Sequence, residues 1–463
     1  MNTTFLRRLA LVVLLTPTPS SAQPPLHAGP MLGYVTLREA AIWVQTARSA
    51  TVQLRFFPEA QPTWARLTPP LLTREEEDLA TTVVLAGLEP GTRYRYELYL
   101  DGELVERPYP LAFATQPLWQ WRTDPPDVTV LFGSCAYINE APYDRPGAPY
   151  GGDFHIFETM AATPAELMLW LGDNVYTREV DFHTPRGIAA RYRHDRALPQ
   201  LQRLLAAMPH LAIWDDHDYG PNDSDRSYHL RGASLAVFAR YWPAIQLGLP
   251  EVPGVFQQFS LADVDFFLLD DRYHRTPNRA PRDATSTMLG AGQLQWLKEA
   301  LAYSRARFKV VALGNQVLNP STRFEGLVHY PGDYEGLLEF IRAARIEGVF
   351  FISGDRHHTE LIRVQREGMY PLYDFTSSPL TAGPRRMRDD DPENANPHRV
   401  PGTLLQERSF GSLTFEGRGD ERRVVLRARA ADGTLRWERT IPARDLTFNR
   451  PAEAAVRSAP APR

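Results

Sequence analysis

Six short apolar runs recur between residues 128 and 352, and each ends at once in polar residues of a chemical kind. Residues 128–132 run into Gly133-Ser134-Cys135, and 167–171 into Gly172-Asp173-Asn174-Val175-Tyr176. Residues 211–214 lead to Asp215-Asp216-His217-Asp218, and 266–269 to Asp270-Asp271-Arg272. Residues 310–313 lead to Gly314-Asn315-Gln316, and 349–352 to Ser353-Gly354-Asp355-Arg356-His357-His358. Runs this long without alternation predict strands buried on both faces. Between them, 189–206, 291–303 and 334–345 read as helices, so the pattern favours an α/β core.

Upstream the texture differs. Residues 40–44, 51–56 and 93–100 read as strands, the last two by period-two alternation. Turn signals fall at 87–92 and at Asp101-Gly102, and no helical period appears. This predicts an immunoglobulin- or fibronectin-like all-β domain over 25–117. Residues 118–127, with Trp119, Trp121, Pro125 and Pro126, read as a linker. A catalytic unit is expected over 128–445. It closes on a β-rich part at 411–441, where Ala431-Asp432-Gly433 forms a hairpin turn. The Pro/Ala-rich end, 446–463, is expected to be a disordered tail.

Charge and cysteine content narrow the setting. The net charge of −4 comes with no long basic block, which argues against a nucleic-acid partner. Arg7 and Arg8, the apolar run 9–15 and Ser20-Ser21-Ala22 predict a signal peptide over 1–22. The protein is therefore expected to be secreted or periplasmic, with general secretion or the twin-arginine route as export machinery. No run reaches the roughly 20 residues of a membrane span. An exported chain usually carries cysteines in pairs, but this one has a single cysteine, Cys135. It is a buried small apolar residue, a free thiol or a metal ligand.

Taken singly, each strand end is ambiguous. A Gly-Asp after an apolar run usually starts a turn, and His183, His194 and His358 alone read as surface residues or supports behind a site. The 218–225 segment reads as a solvated acidic turn rather than a calcium loop, because it lacks the EF-hand spacing and glycine. Ser134 has no nucleophile-elbow sequence. Recurrence changes the balance. Asp, Tyr, Asp, His, Asn, Asp and His at successive strand ends are what a metal site needs, since ligands in α/β sheets gather beyond the carboxyl ends of the strands.

In combination these motifs resemble the alkaline phosphatase D (PhoD-like) family of the metallophosphoesterase superfamily. Leu269-Asp270-Asp271-Arg272-Tyr273, Leu289-Gly290 with Gln293 and Trp296-Leu297, and Thr376-Ser377-Ser378-Pro379-Leu380 fit the same family. The resemblance covers about 128–440, in order, and the all-β module matches the one that precedes the catalytic domain there. It implies a metallophosphoesterase-like β-sandwich flanked by helices, holding Fe3+ and Ca2+, with other divalent metals as alternatives. By motif position, Asp173 bridges metals, Tyr176 and Cys135 bind ferric iron, and Asp216, Asn315, Asp355 and His357 are further ligands. His217 lies on the substrate side. Thr177 stands where the family pattern has an acidic residue and Asp218 where it has Glu, which bears on the calcium ligands more than on iron.

The ligand chemistry agrees with that implication. Two metals ~3.5–4 Å apart hold attacking and leaving oxygens and acidify bound water. Phenolate and thiolate favour trivalent iron over zinc, whereas carboxylate and amide oxygens suit calcium. Arg178 or Arg356 would pair with phosphate oxygens. The expected activity is hydrolysis of phosphomonoesters or phosphodiesters, as small molecules or polymers, by a metal-bound hydroxide without a phospho-enzyme. A phospholipase D-like or wall-polymer phosphodiesterase is one alternative. An inactive calcium-binding surface protein is another.

Overall fold

Phe132 meets Phe375 edge-on, with ring centroids 4.8 Å apart, and this contact joins two six-stranded sheets. The computed structural model describes residues 25–283, 285–388, 390, 391 and 393–448. The expected signal peptide and residues 449–463 of the expected tail lie outside them; Leu446 and Phe448, assigned to that tail, are instead packed into the core. In the first sheet the order is His210–Ile213, Leu167–Leu171, Val128–Gly133, Ser409–Glu416, Arg423–Ala430 and Leu435–Pro442. In the second it is Gln257–Leu261, Val264–Leu268, Phe308–Leu313, Val349–Ser353, Leu372–Thr376 and Glu360–Val364.

All six apolar runs are strands, and within each sheet they pair in parallel. Parallel pairing sends their carboxyl ends to one edge. Leu167–Leu171 and Val349–Ser353 are buried at every position, as expected for strands covered on both faces. Phe415 packs against Phe266, Phe308 and Phe350 across the interface between the sheets. The result is a mixed α/β sandwich with helices outside it.

The helix at Ala291–Tyr303 falls where the periodicity puts it, and the next runs over Pro331–Ala343. The helix expected at 189–206 is two, Pro185–Arg196 and Pro199–Ala207. Pro199 lacks the N–H that a continuous helix needs, and it drives Leu198 to extended ψ (121°).

Residues 26–114 form two antiparallel sheets over a separate core. One has Leu26–Val35, Glu39–Thr46 and Ala80–Ala86; the other centres on Thr51–Pro58 and Arg93–Leu100. Tyr94, Tyr96, Leu98 and Leu100 point inward while Arg93 and Arg95 are exposed, as the alternation predicts. Leu26–Val35 escaped the sequence reading because Gly29, Pro30 and Gly33 interrupt its pattern. Its outer face and that of Glu39–Thr46 join the larger core. There Trp43 Nε1 donates to the Arg240 carbonyl at 2.9 Å.

Candidate metal centre

The chain turns sharply where the central strands end. Cys135, Asp173, Asp355 and His357 all have left-handed φ, at 62°, 52°, 64° and 53°. Each such turn costs a non-glycine residue of order 1–3 kcal/mol and persists only where the surroundings impose it. Small neighbours permit it. A Cβ on Gly172 would lie 2.6 Å from that of Asp215, and one on Gly354 would lie 2.6 Å from that of Ser134. The strand ends therefore approach more closely than any larger residue allows, and their side chains enter one shared space.

Two ligand groups share one member. Donor atoms of Cys135, Asp173 and His357 lie within 4.8 Å of one another, and so do those of Asp173, Asp216 and His217. The two oxygens of Asp173 face different ways. Oδ1 accepts from the His217 backbone N–H at 3.2 Å, while Oδ2 lies 3.6 Å from Cys135 Sγ. Ser378 Oγ donates to the same sulfur at 3.2 Å. His357 Nδ1 is 2.7 Å from the Gly383 carbonyl, which can only accept, so Nδ1 carries the proton and Nε2 keeps its lone pair. Nε2 lies 3.1 Å from the Tyr176 hydroxyl, and the Tyr176 ring rests on His217 at 4.3 Å.

The electrostatics are those of a site short of positive charge. Burial, then the neighbouring Asp216, push the Asp173 carboxyl well above the carboxylate range. Burial and Asp355 push the Cys135 thiol up to about 11, and burial with Asp173 raises the Tyr176 phenol. Asp355 is raised to about 6, chiefly by burial. Burial would also raise Asp216, but His217 and Arg272 hold it at about 2. Burial lowers both His217 and His357, favouring the neutral imidazole, the form that binds metals. A cation would let these groups ionise together.

Other residues stand differently. The Asn315 amide is turned to protein groups: its oxygen accepts from Arg275 at 2.7 Å and its nitrogen donates to Asp215 at 3.1 Å. Arg178 is not placed to meet a phosphate. It pairs with Asp144 at 2.9 Å, donates to the carbonyls of Ile138 and Tyr176, and lies over the Tyr137 ring. Arg356 is likewise engaged, 2.7 Å from Glu393 and over the Phe324 ring. Each arginine thus has a carboxylate partner, Asp144 for Arg178 and the buried Glu393 for Arg356. Asp218 is buried and accepts from the N–H groups of Asp215 and Asn174, bracing the turn at Asp173. Thr177 donates to the His217 and Gly220 carbonyls. His358 is buried against Glu360 at 3.1 Å, a support rather than a surface residue. The 218–225 segment is open only in part: Asn222 and Asp223 are exposed, while Asp218 is buried and the Asp223 N–H donates to Asp216 at 2.6 Å.

A buried ion network behind the site went unread in the sequence. Arg272 contacts Asp215 and Glu325 and lies 3.9 Å from Asp216; Arg275 pairs with Glu325 at 2.6 Å. The Asp270-Asp271-Arg272 run marked one end of it. Glu325 sits in an irregular loop that carried no signal. Tyr150, whose hydroxyl lies 3.0 Å from His357 Nδ1, was hidden in the same way.

A family model described as PhoD-like phosphatase matches residues 131–423, the span that holds every one of these strand ends. The chain belongs to the PhoD-like phosphatase family. A second model, described only as a domain of unknown function, matches residues 23–117. "Alkaline phosphatase D" of Bacillus subtilis (strain 168) is 24% identical over 330 residues. That alignment covers 58% of this chain and 52% of the relative, so the chain spans about half the length of the curated relative it matches. The solved structure titled "Structure of PhoD" superposes with a TM-score of 0.71 at 18% identity, over 92% of this chain and 93% of that one. Purple acid phosphatase PPD1 from yellow lupin (Lupinus luteus) seeds gives 0.65 at 12%, over 93% and 78%. Both share the fold of this PhoD-like chain. Among the described residues no helix is long and apolar enough to cross a membrane.

Proposed function

We propose that this chain is an exported metal-dependent phosphatase that hydrolyses phosphomonoesters or phosphodiesters. One observation carries the reading: a single carboxylate, Asp173, belongs to both ligand groups, which is how two metals are bridged. The donors fit metals. Thiol, phenol and imidazole of Cys135, Tyr176 and His357 would hold ferric iron. Asp216, with Asp355 and a reoriented Asn315, would hold calcium or another divalent ion. When bound, such metals polarise the phosphoryl group and acidify water.

The chain's own residues supply the rest. The Gly383 carbonyl fixes the His357 tautomer, as hydrogen bonds behind metal ligands commonly do. The His217 N–H holds one Asp173 oxygen in place. The His217 imidazole, beside Tyr176, faces the substrate to bind a phosphate oxygen or to give the leaving group its proton. Arg272 offsets the charge of Asp215 and Asp216 behind the site. In this reading 1–22 is a cleaved signal peptide, 25–117 a β-sandwich domain and 128–445 the catalytic unit, and the mature protein is secreted or periplasmic.

The test is metal analysis of the purified protein, with turnover of nitrophenyl phosphate and bis(nitrophenyl) phosphate. Iron with turnover of either ester supports the reading, and the ratio of the two separates monoesterase from diesterase. Calcium without iron or turnover would leave the inactive surface protein instead. Mass spectrometry of the exported chain checks for cleavage before Gln23.

A further inference from the structure

The site described so far is rich in carboxylates, and an anionic substrate needs a cation at its mouth. The ion-paired arginines nearby do not provide it. Arg272 and Arg275 share Glu325, Arg356 and Arg385 share Glu393, and Arg178 holds Asp144. Arg145, by contrast, is exposed and makes no ion pair among the described residues.

Its position is fixed from both sides. On one side Asp144 accepts from the Tyr137 hydroxyl and the Glu140 N–H, each at 2.8 Å, and pairs with Arg178. On the other side Asn139 Oδ1 accepts from the Gly151 N–H at 2.9 Å, and the Gly152 N–H donates to the Thr381 carbonyl at 2.9 Å. Tyr150, between Arg145 and that anchor, lays its hydroxyl 3.0 Å from His357 and its ring edge-on to Tyr137. A Cβ on Gly383 would come within 2.7 Å of the Tyr150 ring, so this seat exists only with glycine opposite. The loop carrying Arg145 is thus bolted to His357 at one end and to the Asp144–Arg178 pair at the other.

We infer that Arg145 is the substrate-binding cation of this site, receiving a non-bridging phosphate oxygen while Tyr150 holds the loop against His357. The inference rests on the phosphoester reading above and names the residue that meets its anionic substrate. A guanidinium suits the task because its paired N–H groups match phosphate geometry.

The experiment is calorimetric titration of the purified, metal-containing full-length protein with inorganic phosphate, beside steady-state kinetics with bis(nitrophenyl) phosphate. Arg145→Gln should weaken phosphate binding about tenfold, the loss of one charge-assisted hydrogen bond. It should raise KM more than it lowers kcat, with metal content unchanged. Arg145→Lys should recover part of the loss. Arg345→Gln, at the opposite pole of the sheets, serves as the control. Phosphate affinity and KM within about twofold of the parent, with turnover intact, would overturn the role of Arg145 and leave the phosphatase reading standing. Weakened phosphate binding in a parent without esterase turnover would uphold Arg145 as an anion site and overturn the catalytic reading.

Discussion

The phenol oxygen of Tyr176 lies 3.1 Å from Nε2 of His357, although the residues stand 181 positions apart. The two atoms therefore offer a phenol and an imidazole donor side by side. If the pair holds ferric iron as proposed, the phenol would ionise to a phenolate and give the protein colour. The iron-loaded parent is expected to absorb visible light, and Tyr176→Phe to lose that band while keeping its circular dichroism. A band that survives in the variant removes Tyr176 from the ligands.

Arg272 is fully buried and sits between Asp215 and Glu325. Arg272→Met leaves Asp215 without its cation and Glu325 with Arg275 alone, and breaking a buried pair from one side costs about 3–5 kcal/mol. Urea unfolding should show a loss of that order. Metal content should fall as well, because Asp216 then loses one of the groups that, with His217, hold its carboxyl low. Unchanged unfolding and metal content would mean the network is not supporting the site.

Trp43 ties the all-β module to the catalytic part through its bond to the Arg240 carbonyl and its contact with Tyr241 at 5.6 Å. Trp43→Ala should reduce stability by about 3–5 kcal/mol, the range for deleting a large buried aromatic. Turnover per folded molecule should stay the same. If only a separate, small unfolding transition shifted, the two parts would be energetically independent.

The metal-stripped protein should lose stability as pH rises. Burial pushes the Asp218 carboxyl up to about 7 against hydrogen bonds from the Asp215 and Asn174 N–H groups. Unfolded, it titrates near 3.9, so between those values the folded state holds the extra proton. Its contribution is full below about pH 4 and fades as pH rises through about 7. Urea midpoints across that window should fall, and Asp218→Asn should flatten the slope. An identical slope in the variant counts against this assignment.

Much of the fold was readable because burial leaves a local signature. The six apolar runs are strands because no alternation interrupts them, and 93–100 alternates because one face of its sheet meets solvent. The residues closing each run were equally readable: Cys135, Asp173, Asp216 and His357 follow their strands directly and meet in space. The break at Pro199 was also written in the chain, since proline cannot continue the helix, yet helical periodicity on either side of it masked the signal.

What the tertiary structure alone decided was the partner of each charge. Arg178 and Arg356 stand beside ligand motifs in sequence, yet Asp144 and Glu393, both on irregular loops, take them. Arg145 lies in a Pro/Gly-rich loop without periodic pattern, and only the packing of Tyr150 on His357 brings that loop to the site. Hydrophobic burial follows the period of the local backbone, so sequence determined the strands and the residues at their ends. Ion pairing follows distance in space, so only the folded chain settled which charges are engaged behind the site.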